Sequence, residues 1–176
     1  MSPTPPQPAD DRERLNEWVQ QFAGTVRGYL LGVVRRADAA DDLAQEVFRR
    51  AWQARERYVE QGQPRAYLLR IADRLACDYL RRRRPELQLD EIGWGTSEPV
   101  GVEPPPEASL ERDETLRQLA AALDLLSEPQ RRVVLLRYYG ELEFAAIAEA
   151  LECPLSTVLS HCHRGLKALR KRLVEK

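Results

Sequence analysis

At 176 residues, 43% hydrophobic and 31% charged, the chain has the composition of a soluble protein and room for one compact domain or two small ones. No apolar run approaches the ~20 residues needed to span a bilayer, and the start, MSPTPPQPADD, has neither the basic nor the apolar region of a secretion signal. Three cysteines at irregular spacing argue against a disulfide framework and fit a cytoplasmic protein in a reducing compartment.

The formal net charge of −1 hides a strong segregation. Lys and Arg cluster at Arg65–Arg84 and again at Arg164–Lys176. Between them, Glu86–Glu114 holds nine acidic residues against the single Arg112. Two basic segments joined by an acidic connector suit a polyanionic partner better than the mean charge suggests.

Residues 1–10, rich in Pro, read as a disordered lead-in. From Asp11 onward Leu15, Trp18, Val19, Phe22, Val26, Tyr29, Leu30 and Val33 recur at spacings of three and four, which predicts a long amphipathic helix. A break at Arg36–Ala40 follows, with Asp38 as a candidate cap. A second helix over about Ala39–Arg57 buries Leu43, Val47, Phe48 and Ala51. Tyr58–Gln63 is a polar loop, and Pro64 opens a third helix that turns Leu68, Ile71, Ala72, Leu75 and Tyr79 inward. That helix ends in the run Arg81–Arg84 before Pro85.

Pro and Gly then crowd a stretch without sustained periodicity, so 86–109 reads as an extended acidic linker. A structureless segment of this length does not fit inside one compact domain. The expected organisation is all-α: a helical domain over 11–85 and a second over 110–176. In the second, Leu116, Leu119, Leu123 and Leu126 mark one helix face. Ser127 and Pro129 start another helix that runs toward Tyr138, with Gly140 as its stop. A short helix over Glu143–Leu151, a turn at Glu152–Leu155 and a final helix complete the chain.

That final helix, CPLSTVLSHCHRGLKALRKRL, has an apolar stripe of Val158, Cys162, Leu166, Leu169 and Leu173. Thr157, Ser160, His161, Arg164, Lys167, Ala168 and Lys171 are expected outward. Short helix, tight turn and longer helix with a basic outer face is the helix-turn-helix layout, whose second helix enters the major groove. A plain amphipathic helix with a solvated basic end remains the competing description, since basic residues also complement the helix dipole. Zinc ligation fits poorly: His161 and His163 lie about 200° apart around a helix and Cys162 sits on the apolar stripe.

Motif by motif, the chain resembles one family. ADAADDLAQEVFRRAW (Ala37–Trp52) and PRAYLLRIADRLACDYLRRRRP (Pro64–Pro85) resemble region 2 of bacterial RNA polymerase sigma factors. LDLLSEPQRRVVLLRYYGELEFAAIAEALECPLSTVLSHCHRGLKALRKRL (Leu123–Leu173) resembles region 4. With no region 3 between them, the pattern is similar to the extracytoplasmic-function (group IV) sigma factors of the sigma-70 family.

The resemblance implies a non-enzymatic transcription factor without cofactor or metal. Its expected partners are core RNA polymerase (the β′ clamp helices and the β flap), promoter DNA and an anti-sigma factor. Asp41, Asp42, Leu43, Gln45 and Glu46 match the core-binding segment; an acidic helix face suits a basic coiled coil, although the same residues would also serve a helix N-terminus. Arg65, Tyr67, Arg70, Asp73, Arg74, Arg81, Arg82 and Arg83 match the segment that opens and reads the −10 element, with Val59–Gln63 as a base pocket. Tyr67 stands where Trp is usual, and Asp73-Arg74 replaces the usual Arg-Asn. Ser156, Thr157, Leu159, Ser160, His161, Arg164 and Lys167 match the −35 contacts, with Leu159 and His161 replacing the usual Lys and Arg. The loss of two basic groups weakens phosphate attraction, so poor duplex binding without core enzyme is expected. The acidic linker would follow the channel later taken by RNA.

Two alternatives are distinct in chemistry. A helix-turn-helix regulator acting without polymerase would not need the Asp41–Glu46 surface or a basic third helix. A helical hydrolase holding Mg²⁺ on Asp38, Asp41, Asp42 and Glu46 lacks a second carboxylate-rich helix and a Gly-rich phosphate loop.

Overall fold

The computed structural model describes residues 8–55, 58, 63–83 and 118–174; the expected linker 86–109, most of the loop Val59–Gln63 and Arg84 lie outside them. Every regular element among the described residues is helical. In chain order these are α1 (Pro8–Val34), α2 (Ala37–Gln53), α3 (Pro64–Arg83), α4 (118–124), α5 (Glu128–Val134), a π-helical turn (Leu135–Tyr139), α6 (Phe144–Ala150) and α7 (Leu155–Val174).

Helices α1, α2 and α3 form the N-terminal module. α1 starts at Pro8, three residues before the periodic pattern, with proline in the first turn where its missing N–H costs nothing. Asp11 is buried there and pairs with Arg14 at 2.7 Å. Phe22, Val26, Tyr29, Leu30 and Val33 of α1 meet Val47 and Ala51 of α2 and Leu68, Leu69, Ala72, Leu75 and Ala76 of α3 in a close-packed core. Trp18, Tyr58 and Tyr67 add an aromatic cluster at one end: the Trp18 and Tyr58 ring centroids are 5.0 Å apart, edge to face, and Tyr58 and Tyr67 are 4.6 Å apart.

The turn between α1 and α2 departs from expectation. Asp38 does not cap α2. It lies in the first turn, ion-paired with the N-cap residue Arg36, which together with the Ala39 amide holds its carboxyl down at about 2. Arg35, one residue beyond α1, takes a left-handed conformation with φ 60°, the position where glycine usually ends a helix.

In the C-terminal module α5 begins with the expected Ser127, whose side chain accepts the Gln130 amide while the Ser127 N–H donates to Gln130 Oε1 at 3.3 Å. The helix does not continue as α to Tyr138. It widens into one π-helical turn, with Gly140 N–H donating to the Leu135 carbonyl at 2.8 Å and Leu142 N–H to that of Leu136 at 3.0 Å. α6 and α7 follow as a helix-turn-helix, the turn carrying Glu152 at φ 53°.

The two modules pack on one another. α6 lies along α3, and the π-helical turn lies across α1. Gly32 makes room for Leu135: a Cβ at Gly32 would come within 2.7 Å of Leu135 Cδ1. Gly140 in turn sits against Leu69 of α3, at 2.7 Å from an added Cβ. Tyr139 donates its hydroxyl to the Gly24 carbonyl at 3.1 Å.

Candidate nucleic-acid and polymerase interfaces

The first candidate surface is the start of α2. Asp41, Asp42 and Gln45 are exposed, and Leu43 and Glu46 are half-buried. Asp41 accepts from Arg27 of α1 at 2.5 Å. Glu46 is braced by Arg49 at 2.5 Å and Arg50 at 2.8 Å, which hold its carboxyl at about 2. This leaves Asp42 and Gln45 as the most outward members of the group. The same pairings bear on the magnesium alternative, because Asp38, Asp41 and Glu46 each face an arginine rather than one another.

The second surface is α3. Its apolar stripe fixes Leu68, Ala72, Leu75 and Ala76 inward, so Arg65, Arg70, Arg74, Arg81, Arg82 and Arg83 line the other faces. Arg81 pairs with Asp78 at 3.0 Å, and Arg83 donates to the Tyr79 hydroxyl at 2.8 Å. Tyr67 is half-buried in the aromatic cluster, with the Arg70 guanidinium 5.9 Å from its ring centre. Its ring packs against those of Trp18 and Tyr58.

Asp73 requires a correction. Expected beside Arg74 on the DNA-reading face, it is only 2% exposed. Its carboxylate accepts from Tyr29 at 2.6 Å and takes a two-pronged grip from Arg132 of α5, Nε at 2.7 Å and Nη2 at 2.6 Å. A charge this far from water survives only when paired and hydrogen-bonded, and here it is both. Arg132 keeps its proton strongly: burial opposes its charge, but Asp73 outweighs burial and raises its pKa. Burial, followed by Asp73, pushes Tyr29 well above the usual phenol range.

Arg65, Arg70 and Arg74 of α3 face the C-terminal module. Arg65 pairs with Glu141, Arg74 pairs with Glu152, and Arg70 stands 3.6 Å from Glu149. On the far side Arg35 reaches Asp124 at 2.6 Å and the Ala120 carbonyl at 3.0 Å.

The third surface is α7. Ser156, Leu159, Arg164 and Lys167 are exposed, and Thr157 and Ser160 are half-buried on the same side. His161 is the second correction: expected outward, it is 9% exposed, while Leu166, expected on the buried stripe, is 38% exposed. The buried side runs through Val158, His161, Cys162 and Gly165, rotated by roughly 50°, half a residue step, from the sequence reading. Gly165 explains the rotation. It faces Val134 of α5 so closely that an added Cβ would lie 2.9 Å from Val134 Cγ2, and a bare backbone there draws this side of α7 inward. Burial, then the charges of Arg164 and Arg132, lower the His161 pKa, so the ring is neutral at physiological pH.

Burial and then Asp73 push the Cys77 thiol up to about 12, and burial raises Cys153 and Cys162 as well, which disfavours the thiolate form at each. No helix among the described residues is long and apolar enough to cross a membrane.

Residues 18–86 match the family model described as Sigma-70 region 2, and residues 116–169 match that described as Sigma-70, region 4. The chain is 35% identical over 143 residues to the ECF RNA polymerase sigma factor SigW of Bacillus subtilis, spanning 76% of this chain and 75% of that protein. It is 29% identical over 167 residues to the ECF RNA polymerase sigma factor SigK of Mycolicibacterium vanbaalenii, spanning 93% and 83%. Among solved structures, the fold is similar to the sigma factor RpoE in complex with the anti-sigma factor NepR from Bartonella quintana. There the TM-score is 0.73 at 22% identity, over 92% of this chain and 98% of that one. It is also similar to CnrH in complex with the cytosolic domain of CnrY, with a TM-score of 0.67 at 19% identity. Two region models in the right order, on two helical modules, agree with the close relatives: the chain belongs to the extracytoplasmic-function sigma factors of bacterial RNA polymerase, non-catalytic subunits that direct that enzyme to promoters.

Proposed function

We propose a division of labour among the three surfaces, carried by one observation: exposed acidic, basic and small polar faces stand on three different helices of one small chain. Acting in the cytoplasm, Asp41, Asp42, Leu43, Gln45 and Glu46 meet the β′ clamp helices, with Asp42 and Gln45 making first contact. Arg65, Arg70 and Arg74, followed by Arg81, Arg82 and Arg83, hold the phosphates of the opened −10 strand, while Tyr67 stacks on a base at the edge of its cluster. Ser156, Thr157, Leu159, Ser160, Arg164 and Lys167 face the −35 major groove, with the module seated on the β flap. Asp73 and His161 support these faces from inside. An anti-sigma factor, as in the RpoE complex, is the partner expected to hold the chain in reserve.

In-vitro transcription with core enzyme on a randomised promoter library tests this reading. The expected result is initiation from a subset sharing two spaced elements, lost when Arg70 and Arg74 become Gln. Initiation that ignores the −10 segment, or survives that double change undiminished, overturns the α3 assignment.

A further inference from the structure

Helix α7 carries an apolar seam that the fold leaves half open. Leu155, Leu159, Cys162, Leu166 and Leu169 follow one another at separations of four and three residues, and in the sequence the same spacing reaches Leu173. Around an ideal helix the first five fall within about 80° of one another. That is the a/d repeat by which two helices pack along their length. Leu155, Leu159 and Leu166 are 45%, 44% and 38% exposed, while Cys162 is buried. Tyr138 of the π-helical turn, 58% exposed, reaches the Cys162 thiol with its hydroxyl and adds to the patch.

The seam is open because the chain packs α7 by a different side. Val158, His161, Cys162 and Gly165 face inward, and the close approach of Gly165 to Val134 fixes that side. The centre of the seam lies roughly 70° further round the helix. Single exposed leucines are ordinary on a protein surface, but three aligned at heptad spacing on one helix are not. We infer that the seam is a self-association surface, on which α7 of a second copy of this chain lies antiparallel.

A two-fold interface must complement itself. With Cys162 at the level of the axis, the antiparallel arrangement sets Leu159 against Leu166 of the second copy and Leu155 against its Leu169. Each level of the seam is then apolar on both sides. Charge selects the same direction. The end of α7 is basic through Lys167, Arg170 and Lys171, whereas its start has Ser156 and Thr157, with Glu152 just ahead in the turn. Antiparallel packing places Arg170 beside Ser156 and the turn of the second copy, while parallel packing would set one basic end on another. One helix pair is a small interface, so the association is weak and reversible, at the low end of specific contacts. Leu159 also belongs to the face read as meeting the −35 groove. A paired chain therefore cannot enter that groove, a consequence that rests on that reading of α7.

Sedimentation of the full chain, from micromolar to sub-millimolar concentration, tests the seam. The parent is expected to shift from monomer to dimer across that range. Leu159→Glu and Leu166→Lys each charge an exposed position and should each weaken association about tenfold or more. Circular dichroism checks that both stay folded. Combining the two changes in one chain should restore most of the loss, because the new carboxylate of one copy then meets the new ammonium of the other. Within a single helix the two positions lie about 10 Å apart and cannot pair. Dimers unaffected by either single change overturn the seam, and single losses that the combination does not recover overturn the antiparallel pairing. A parent that stays monomeric throughout overturns self-association; if Leu166→Lys then lowers affinity for core enzyme, the seam belongs to a polymerase helix instead. The complex with core enzyme and a −35 duplex should hold one copy of the chain. Two copies there, reduced to one by the seam changes, would leave the interface standing and refute the −35 reading of α7.

Discussion

Asp73 and Arg132, fifty-nine residues apart in sequence, meet through two hydrogen bonds of 2.7 and 2.6 Å at the junction of the modules. Tyr29, fully buried on α1, donates to the same carboxylate at 2.6 Å. One carboxylate thus ties α1 to α3 and both to α5. The position that departs from the family pattern in the −10 helix is occupied by a structural charge.

Changing Tyr29 to Phe keeps the ring and removes the donor. Hydrogen bonds to charged groups contribute about 1.5–3 kcal/mol, and the loss leaves one Asp73 oxygen dependent on Arg132 alone. The expected outcome is a lower urea midpoint corresponding to about 2 kcal/mol, with an unchanged slope. A midpoint equal to that of the parent would mean that water replaces the hydroxyl without cost and that Asp73 is less enclosed than its 2% exposure states.

His161 makes stability depend on pH in a defined direction. The unfolded imidazole takes up its proton near 6.5, whereas the folded ring, buried between Arg132 and Arg164, does so only at lower pH. The unfolded chain therefore binds more protons in that window. Stability should fall as pH drops below about 6.5 and level off once the folded ring also protonates. His161→Gln should flatten this part of the profile, measured as the difference in thermal midpoint between parent and variant from pH 8 to pH 5. Parallel curves would show that the folded ring titrates as it does in the unfolded chain.

Gly165 offers a steric test of how α7 is oriented. Alanine gains helix propensity of about 1 kcal/mol but meets Val134, so the two effects should roughly cancel. Valine adds two methyl groups in the same place and should cost about 1–3 kcal/mol by forcing α7 away from α5. Thermal unfolding of the two variants checks this. A valine variant as stable as alanine would mean that α7 can rotate freely on α5, and that the burial of His161 is not fixed by packing.

Much of the architecture was legible because apolar spacing reports the face a helix buries. Phe22, Val26, Leu30 and Val33 on α1, and Leu68, Ala72 and Leu75 on α3, lie where the periodicity places them. Ser127, two residues ahead of Pro129, announced α5, and the structure adds its capping box with Gln130. What escaped was long-range. Asp73 is polar and adjacent to Arg74, so only the arrival of Arg132 from another module reveals it as buried. His161 was assigned outward because the stripe was set by Leu166, when the controlling residue was Gly165, which has no hydropathy to signal. The π-helical turn leaves no period in so short a run as LLRYY, although the nearby Gly28 and Gly32 on α1 mark where it lands.

Leu159, 44% exposed on α7, stands where the family pattern has Lys. An apolar side chain at this point of a groove-entering helix can contact a thymine methyl. Leu159→Lys would exchange that contact for a phosphate, so the salt dependence of holoenzyme binding to a −35 duplex should steepen by about one counterion. Discrimination at one base position should weaken at the same time. If affinity and base preference both stay as they were, Leu159 does not touch DNA in the bound complex.

The outward residues of the α2 surface offer a test of the polymerase-docking role proposed for it. Asp42 and Gln45 are exposed and stand beside carboxylates already held by Arg27, Arg49 and Arg50. Asp42→Lys/Gln45→Ala should leave the helical signal and thermal midpoint within experimental error, because surface changes away from caps and cores cost little. Core-enzyme affinity should fall at least tenfold, about 1.4 kcal/mol, with slower association because the charge that steers the encounter is reversed. Glu46→Gln should act more weakly, since it frees two arginines without removing an outward carboxylate. A regulator that worked through its helix-turn-helix alone would show full activity in the double variant, so intact transcription from a dependent promoter would reject the polymerase-docking role of α2.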